Sequence, residues 1–261
     1  MLKMEFSRIS SRPVLWMLLA AGLFLGLWPV IQMWPQGVTD QYYMMYPRSP
    51  FVSWMYLEVS STYQIYALIF PLLASLVYCD AYAEDFNTGL IKSILTKIHK
   101  KSYLMTRYAV NFLLGGFIAV FPLLVNFLAL MMAFPLIENN FYYGMAPVSQ
   151  NGFYQDLFYQ HPFVYIALRF FLLFLFGGIL ASLGLALSTA VRNRYIVLVF
   201  PFLLFLGLDV LFPSLNWYSY SVSGLFLWNY QEHWSMLLYL FAGFLGSFVW
   251  YLTAGVRNET V

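Results

Sequence analysis

An all-α polytopic membrane protein with six transmembrane helices is the fold class that this sequence predicts, and three observations predict it. The chain of 261 residues is 62% apolar and only 9% charged, with uncharged stretches of about 20 residues or more. Backbone polar groups in lipid must be satisfied internally, so spanning segments are helices or a closed barrel, and long unbroken apolar runs do not carry the alternation of a barrel strand. Basic residues also crowd into alternate loops.

The elements follow in order. A basic start leads into a first span at 14–34; its apolar run is too long for a signal peptide and lacks a small-residue cleavage site, so it is expected to stay as a helix. Further spans are expected at 62–78, 108–137, 162–191, 195–212 and 235–256, forming one domain over 1–261. The third and fourth, of 30 residues, exceed a hydrocarbon core of roughly 30 Å and must tilt, kink or project, with Pro122 the candidate kink in the third. Only a few residues around Arg192 and Arg194 separate the fourth span from the fifth, which predicts a tight hairpin. Gly22 and Gly26, Gly178 and Ser182, and Ala242 and Gly246 are small residues four apart, suited to close helix packing or to a dimer seam.

Lys and Arg fix the expected orientation. Eleven of the 13 precede the first span or follow the second, fourth and sixth; Arg48 lies on the opposite side and Arg169 within the fourth span. The acidic residues Asp40, Glu58, Glu138, Asp156 and Glu232 fall on that opposite side. Both termini and the segment between the second and third spans are therefore expected in the cytoplasm.

That segment, CDAYAEDFNTGLIKSILTKIHKKSYLMTR from Cys79 to Arg107, holds eight of the 24 formally charged side chains. Glu84, Asp85, Asn87 and Thr88 suit a helix start, with carboxylates near its positive end. Leu90, Ile91, Ile94, Leu95 and Ile98 then recur on one face, with Lys92, Ser93, Thr96, Lys97 and His99 on the other. An amphipathic helix over about 87–98 results. It serves either as an interfacial helix on the inner leaflet or as a docking element for a soluble partner. The following basic residues, through Arg107, are placed to meet lipid phosphates.

Asp80, Glu84, Asp85, Gly89, Leu90, Lys92, Leu95, Thr96, Lys100, Tyr103 and Arg107 stand in an order that resembles the corresponding segment of permease subunits of bacterial ATP-binding-cassette type 2 (ABC-2) exporters. The length, six spans and lack of an attached nucleotide-binding domain also resemble their half-transporters. The resemblance implies that 87–98 is a coupling helix seated in a separate ATP-binding subunit, with Glu84, Asp85, Asn87, Gly89, Leu90, Ile91, Lys92, Ile94, Leu95, Lys97 and Ile98 as the docking residues. It further implies a second permease copy or a paralogue, ATP and Mg²⁺ held by the partner rather than by this chain, residence in the bacterial cytoplasmic membrane, and a membrane-dipping or interfacial segment between the last two spans. Pro213 to Trp234 suits that segment, since Val222 to Trp228 is too short to cross.

No catalytic motif is present. The chain has no Gly-rich phosphate loop ending in Gly-Lys-Ser/Thr, and His99, His161 and His233 lack metal-ligand spacing. Cys79 reads as a packing residue. The ionisable residues at membrane depth are Arg169, which either snorkels outward or meets substrate or Asp209, and Asp209 itself. Outer segments are rich in aromatic residues, among them Trp34, Tyr42, Tyr43, Tyr46, Phe51, Trp54 and Tyr56, then Phe141, Tyr142, Tyr143, Phe153, Tyr154, Phe158 and Tyr159. They form either a headgroup belt or a surface for an amphipathic cargo. With so few charges in the spans, the expected cargo is hydrophobic or amphipathic, such as a peptide, toxin, lipid-like compound or drug, and not nucleic acid. Secondary transport and a non-transporting scaffold are the alternatives; the first would require inverted repeats and midplane ionisable groups.

Overall fold

A computed structural model describes residues 2–33, 49–137, 148, 152, 154–227 and 233–257. The regular structure is helical throughout these residues. Helix α1, Leu2–Ser10, precedes α2, Pro13–Met33, where Pro13 starts the helix at a position whose N–H needs no partner. A short helix α3, Pro50–Met55, is capped by Ser49, whose Oγ accepts from Val52 N at 3.1 Å. A 3₁₀ turn, Tyr56–Val59, leads to α4, Ser61–Ser75, capped in the same way by Ser60. Two short helices follow, α5 (Ala81–Asn87) and α6 (Leu90–Leu95), then the longest, α7 (Lys100–Ala133). Helix α8 is Gln155–Gln160 and α9 is Pro162–Leu187. Helix α10, Arg194–Ser214, begins at an Asn193 cap, and α11 is His233–Arg257.

Five helices are long and apolar enough to cross a membrane: α2, α7, α9, α10 and, from Ser235, α11. The chain is therefore a multi-pass membrane protein. Where a crossing is expected at 62–78 stands the 15-residue α4, about 22 Å long and shorter than those five, followed by irregular turns over 76–80. Those turns have a physical cause, because Tyr78 and Asp80 are drawn aside into a cluster of charges. Helix α7 starts eight residues before the expected 108, so Lys100 to Arg107 form its first two turns rather than a linker. It runs through Pro122 to Ala133 and gives way to extended backbone at Phe134.

Helices α7 and α9 form the centre, and small residues let them approach. A methyl group added at Gly178 would lie 2.8 Å from Phe112 O on α7. The Gly22 and Gly26 pair brings α2 onto α7 in the same way: a Cβ at Gly26 would meet Pro122 O at 2.5 Å, and Asn126 Nδ2 donates to Gly26 O at 2.8 Å. Gly246 has open space beside it.

Alternate helix ends gather at two poles. One pole collects α1, the start of α7, the start of α10 and the end of α11, where Lys100 Nζ donates to Val256 O at 3.0 Å. Thus α1 and the end of α11 share this charged pole. At the far pole, α3 is buried along its whole length, and Trp54, Phe70, Phe158, Phe176 and Phe226 belong to one core. Phe70 meets Phe226 edge-on at 5.0 Å between ring centroids. Several outer aromatic residues are thus packing residues rather than a headgroup belt: Phe51, Trp54 and Phe158 are buried, whereas Tyr56 and Tyr154 are exposed. Trp34, Tyr42, Tyr43, Tyr46, Phe141, Tyr142, Tyr143 and Phe153 lie outside the described residues, as do Asp40, Arg48, Glu138 and Glu232.

Candidate functional site

At the charged pole the acidic residues that open the Cys79 to Arg107 stretch turn inward. Asp80 precedes α5 and receives Arg12 Nη1 at 2.7 Å on one carboxylate oxygen and Arg194 Nε at 2.8 Å on the other. Arg12 also donates to Val77 O at 2.8 Å and to Glu84. Asp85 is fully buried, with one oxygen 2.7 Å from Arg8 Nη2 and the other receiving Arg107 and, at 2.6 Å, the Tyr103 hydroxyl. Arg107 is also fully buried and reaches Glu5 at 2.6 Å through Nη1, which donates to Tyr78 OH as well. Tyr78 donates its own proton to Glu5.

Four arginines (Arg8, Arg12, Arg107, Arg194) thus meet four carboxylates (Glu5, Asp80, Glu84, Asp85) in one electrically balanced cluster. Rings line it: the Arg107 guanidinium lies 5.2 Å from the Tyr78 centroid and 5.3 Å from that of Tyr103. Glu5 Oε1 and Arg107 Nε are buried with no hydrogen-bond partner among the described residues. Chemically, the cluster is a junction. It ties α1, α5, α7 and α10 together at the point where the chain leaves α4.

From this junction α5 and α6 project as a bent pair. Asn87 ends α5, where its Nδ2 donates to Arg192 O at 3.0 Å. Gly89 takes the left-handed conformation at φ 71°, which makes the bend and which residues with a side chain adopt at a cost. The amphipathic element expected at 87–98 is consequently shorter, with helical residues Leu90–Leu95. Ile91 and Ile94 are buried against Tyr82, Tyr103 and Tyr251, with Leu95 and Ile98 half-buried beside them. Asn87, Gly89, Leu90, Lys92 and Lys97 are exposed. The outward face is therefore Leu90, Lys92, Ser93, Thr96 and Lys97. Glu84 and Asp85 are turned toward the chain's own arginines.

Arg169 and Asp209 stand at the far pole and do not meet. Both hold the segment after α10. Arg169 is 3% exposed, and its Nη2 donates to Leu227 O at 3.1 Å and, more weakly, to Leu225 O at 3.4 Å. Snorkelling outward is thus replaced by bonding to backbone carbonyls that the membrane leaves short of donors. Asp209 Oδ1 accepts from Ser221 Oγ at 2.6 Å and Ser223 N at 2.9 Å. The segment forms short 3₁₀ turns, Tyr218–Tyr220 and Val222–Phe226, the second of which is pinned further by Tyr63 OH donating to Phe226 O at 2.8 Å. Trp228 to Glu232 lie outside the described residues.

Sequence reasoning missed α1 and with it Glu5, Arg8 and Arg12 as members of a cluster. The signal was present, since spacings of three and four place all three on one helical face. Among the described residues no group of three His, Cys, Asp or Glu side chains could hold a metal ion. No protein-family model, curated protein or solved structure matches this chain.

Proposed function

We propose that the chain is the membrane permease subunit of an ABC exporter in the bacterial cytoplasmic membrane, with a separate ATP-binding subunit docking on α5 and α6. The charged pole is cytoplasmic in this reading, because it gathers the basic loops. Helix α4 with its flanking turns then makes the sixth crossing, which accords with α1 and the end of α11 lying at one pole. ATP and Mg²⁺ belong to the partner, and a second permease copy or a paralogue completes the pathway. The exposed apolar faces of α2, α10 and α11 supply surface for that copy or for lipid. A hydrophobic or amphipathic cargo fits spans that carry almost no charge.

One observation carries the reading. The short helix α6, with Leu90, Lys92 and Ser93 exposed and Lys97 just beyond it, packs through Ile91 and Ile94 on Tyr103 and Tyr251 and is joined at Gly89 to α5, which a buried charge cluster fastens to the ends of several membrane helices, so force on that edge is delivered to them. A helix that merely lay on lipid would need no such fastening. The test is co-purification of the tagged chain in mild detergent from its native cell, with an ATPase assay on what accompanies it. A stoichiometric nucleotide-binding subunit that is retained by the parent and lost with Leu90→Asp is the expected result. Absence of any such subunit from the parent preparation overturns the proposal.

A further inference from the structure

Beside the junction, between α5, the end of α9 and the end of α11, lies a recess of about 320 Å³ lined by Tyr82, Phe86, Ser188, Thr189, Arg192 and Arg257, with Ala190 at its edge. Its two charged residues are both arginines, and among the described residues neither is ion-paired to a carboxylate. This sets them apart from Arg8, Arg12, Arg107 and Arg194, all of which are consumed by the cluster. Arg192 is also held in place: its guanidinium stacks 4.1 Å from the Phe86 ring centroid, and its carbonyl accepts from Asn87.

Two helix C-termini lie at this recess, and a bland account makes the arginines their electrostatic complement. The magnitudes favour a remaining positive charge. Each helix end contributes about half a negative charge, so two guanidinium groups leave a net charge of roughly +1. Ser188 Oγ and Thr189 Oγ1 also donate to Leu185 O at 2.6 Å and Ala186 O at 2.7 Å, which satisfies two of the terminal carbonyls of α9.

We propose that this recess binds a phosphate group, with the two guanidinium groups as its donors. Guanidinium forks match phosphate oxygens in charge and geometry. The volume accepts a phosphodiester with its glycerol but no acyl chains. Exposed apolar side chains flank the opening in sequence, Tyr195 and Ile196 after Arg192 and Val256 before Arg257, and these offer a path for acyl chains outside the recess. A phospholipid headgroup is therefore the expected source, and a soluble phosphate ester is the other.

The experiment compares the parent with the pair Arg192→Gln, Arg257→Gln, and with a control pair of equal charge change, Lys92→Gln, Lys97→Gln. Each full chain, purified in mild detergent, is titrated with dimyristoyl phosphatidylglycerol and bound lipid is counted by native mass spectrometry. In a second arm glycerol 3-phosphate is titrated by calorimetry. Loss of two charge-assisted contacts at a partly screened site should weaken phosphatidylglycerol binding about tenfold in the arginine pair. The lysine pair should change it about twofold at most, by general electrostatics. Weakening confined to the lipid arm identifies a headgroup; weakening in both identifies a site for phosphate esters at large. Equal binding by the parent and the arginine pair in both arms overturns the proposal. Should the pair fail to elute as a single species, Arg257→Gln alone carries the same comparison, with about a threefold loss expected.

Discussion

Asp85 and Arg107 are both fully buried and in contact, and that sets the consequence of losing either one. Breaking a buried pair strands the other charge, which costs about 3 to 5 kcal/mol, and because Arg107 also serves buried Glu5, the strain is relieved only when Asp85, Arg107 and Glu5 are neutralised together. Asp85→Asn should therefore lower the thermal midpoint in detergent far more than Tyr103→Phe, which deletes one hydrogen bond to a charged acceptor and costs about 1 to 3 kcal/mol. Adding Arg107→Gln and Glu5→Gln to Asp85→Asn should recover part of the loss. A triple variant as damaged as the sum of its singles would show that the three residues do not act as a unit. Cys79, next to Asp80, is the other buried reactive side chain at this pole. At pH 8 a maleimide should add to Cys79 only after denaturation in SDS, and prompt addition to the native chain, seen as a mass shift, would contradict the burial.

The α5–α6 pair shows how close neighbours in sequence divide between packing and display. Ile91 is 3% exposed and faces a tyrosine cluster, while Leu90 beside it is 39% exposed. Ile91→Asp should destabilise the chain by a few kcal/mol, on the order of the cost of an unpaired charge in a core. Leu90→Asp should leave the stability within about 0.5 kcal/mol of the parent, as surface changes do. Equal melting of both would mean that α6 does not dock as described. The contrast also explains why Leu95, half-buried against the same cluster, is a poorer probe of docking than Leu90. Gly89→Ala should cost about 1 to 2 kcal/mol because only the left-handed backbone makes the bend, and faster amide exchange over α6 is its expected signature. Periodicity in the sequence located the apolar face of this element, since Ile91 and Ile94 recur at helical spacing. It did not reveal the break at Gly89, because a single glycine in a helical pattern is compatible with either continuation or a turn. Nor did it separate Leu90 from Ile91, because neighbours 100° apart on a helix both fall within a broad apolar stripe.

Across the whole molecule, hydropathy located the long apolar helices to within a few residues at most ends, as at Pro162 and at Arg194, because lipid imposes length and composition on them. It missed what charge conceals. Helix α1 and the first turns of α7 carry Glu5, Arg8, Lys100, Lys101 and Arg107, which read as loop in any hydropathy window, and yet the charges of Glu5, Arg8 and Arg107 cancel against partners distant in sequence. Pairings such as Arg107 with Glu5, or Arg194 with Asp80, join residues about a hundred positions apart, and no local pattern encodes them. The same cancellation bears on orientation. With four arginines neutralised internally, the outward charge at this pole rests on Lys3, Lys92, Lys97, Lys101, Arg192 and Arg257, all exposed, and it remains positive. The positive-inside tendency acts on basic residues flanking the spans and is little affected by acidic ones, so the internal pairing does not alter the orientation that counting predicts. Single cysteines in a Cys79→Ser background test it: Ser10, Ser93 and Arg257 mark the charged pole, and Tyr218 the far one. With six crossings, a membrane-impermeant maleimide added outside intact cells should label only Tyr218→Cys, while Ser10→Cys, Ser93→Cys and Arg257→Cys should react only after permeabilisation. If α4 failed to cross, the segments on either side of it would share one membrane face. Tyr56→Cys and Ser93→Cys would then label together, so opposite labelling of that pair decides whether a helix of 15 residues with its flanking turns spans this membrane.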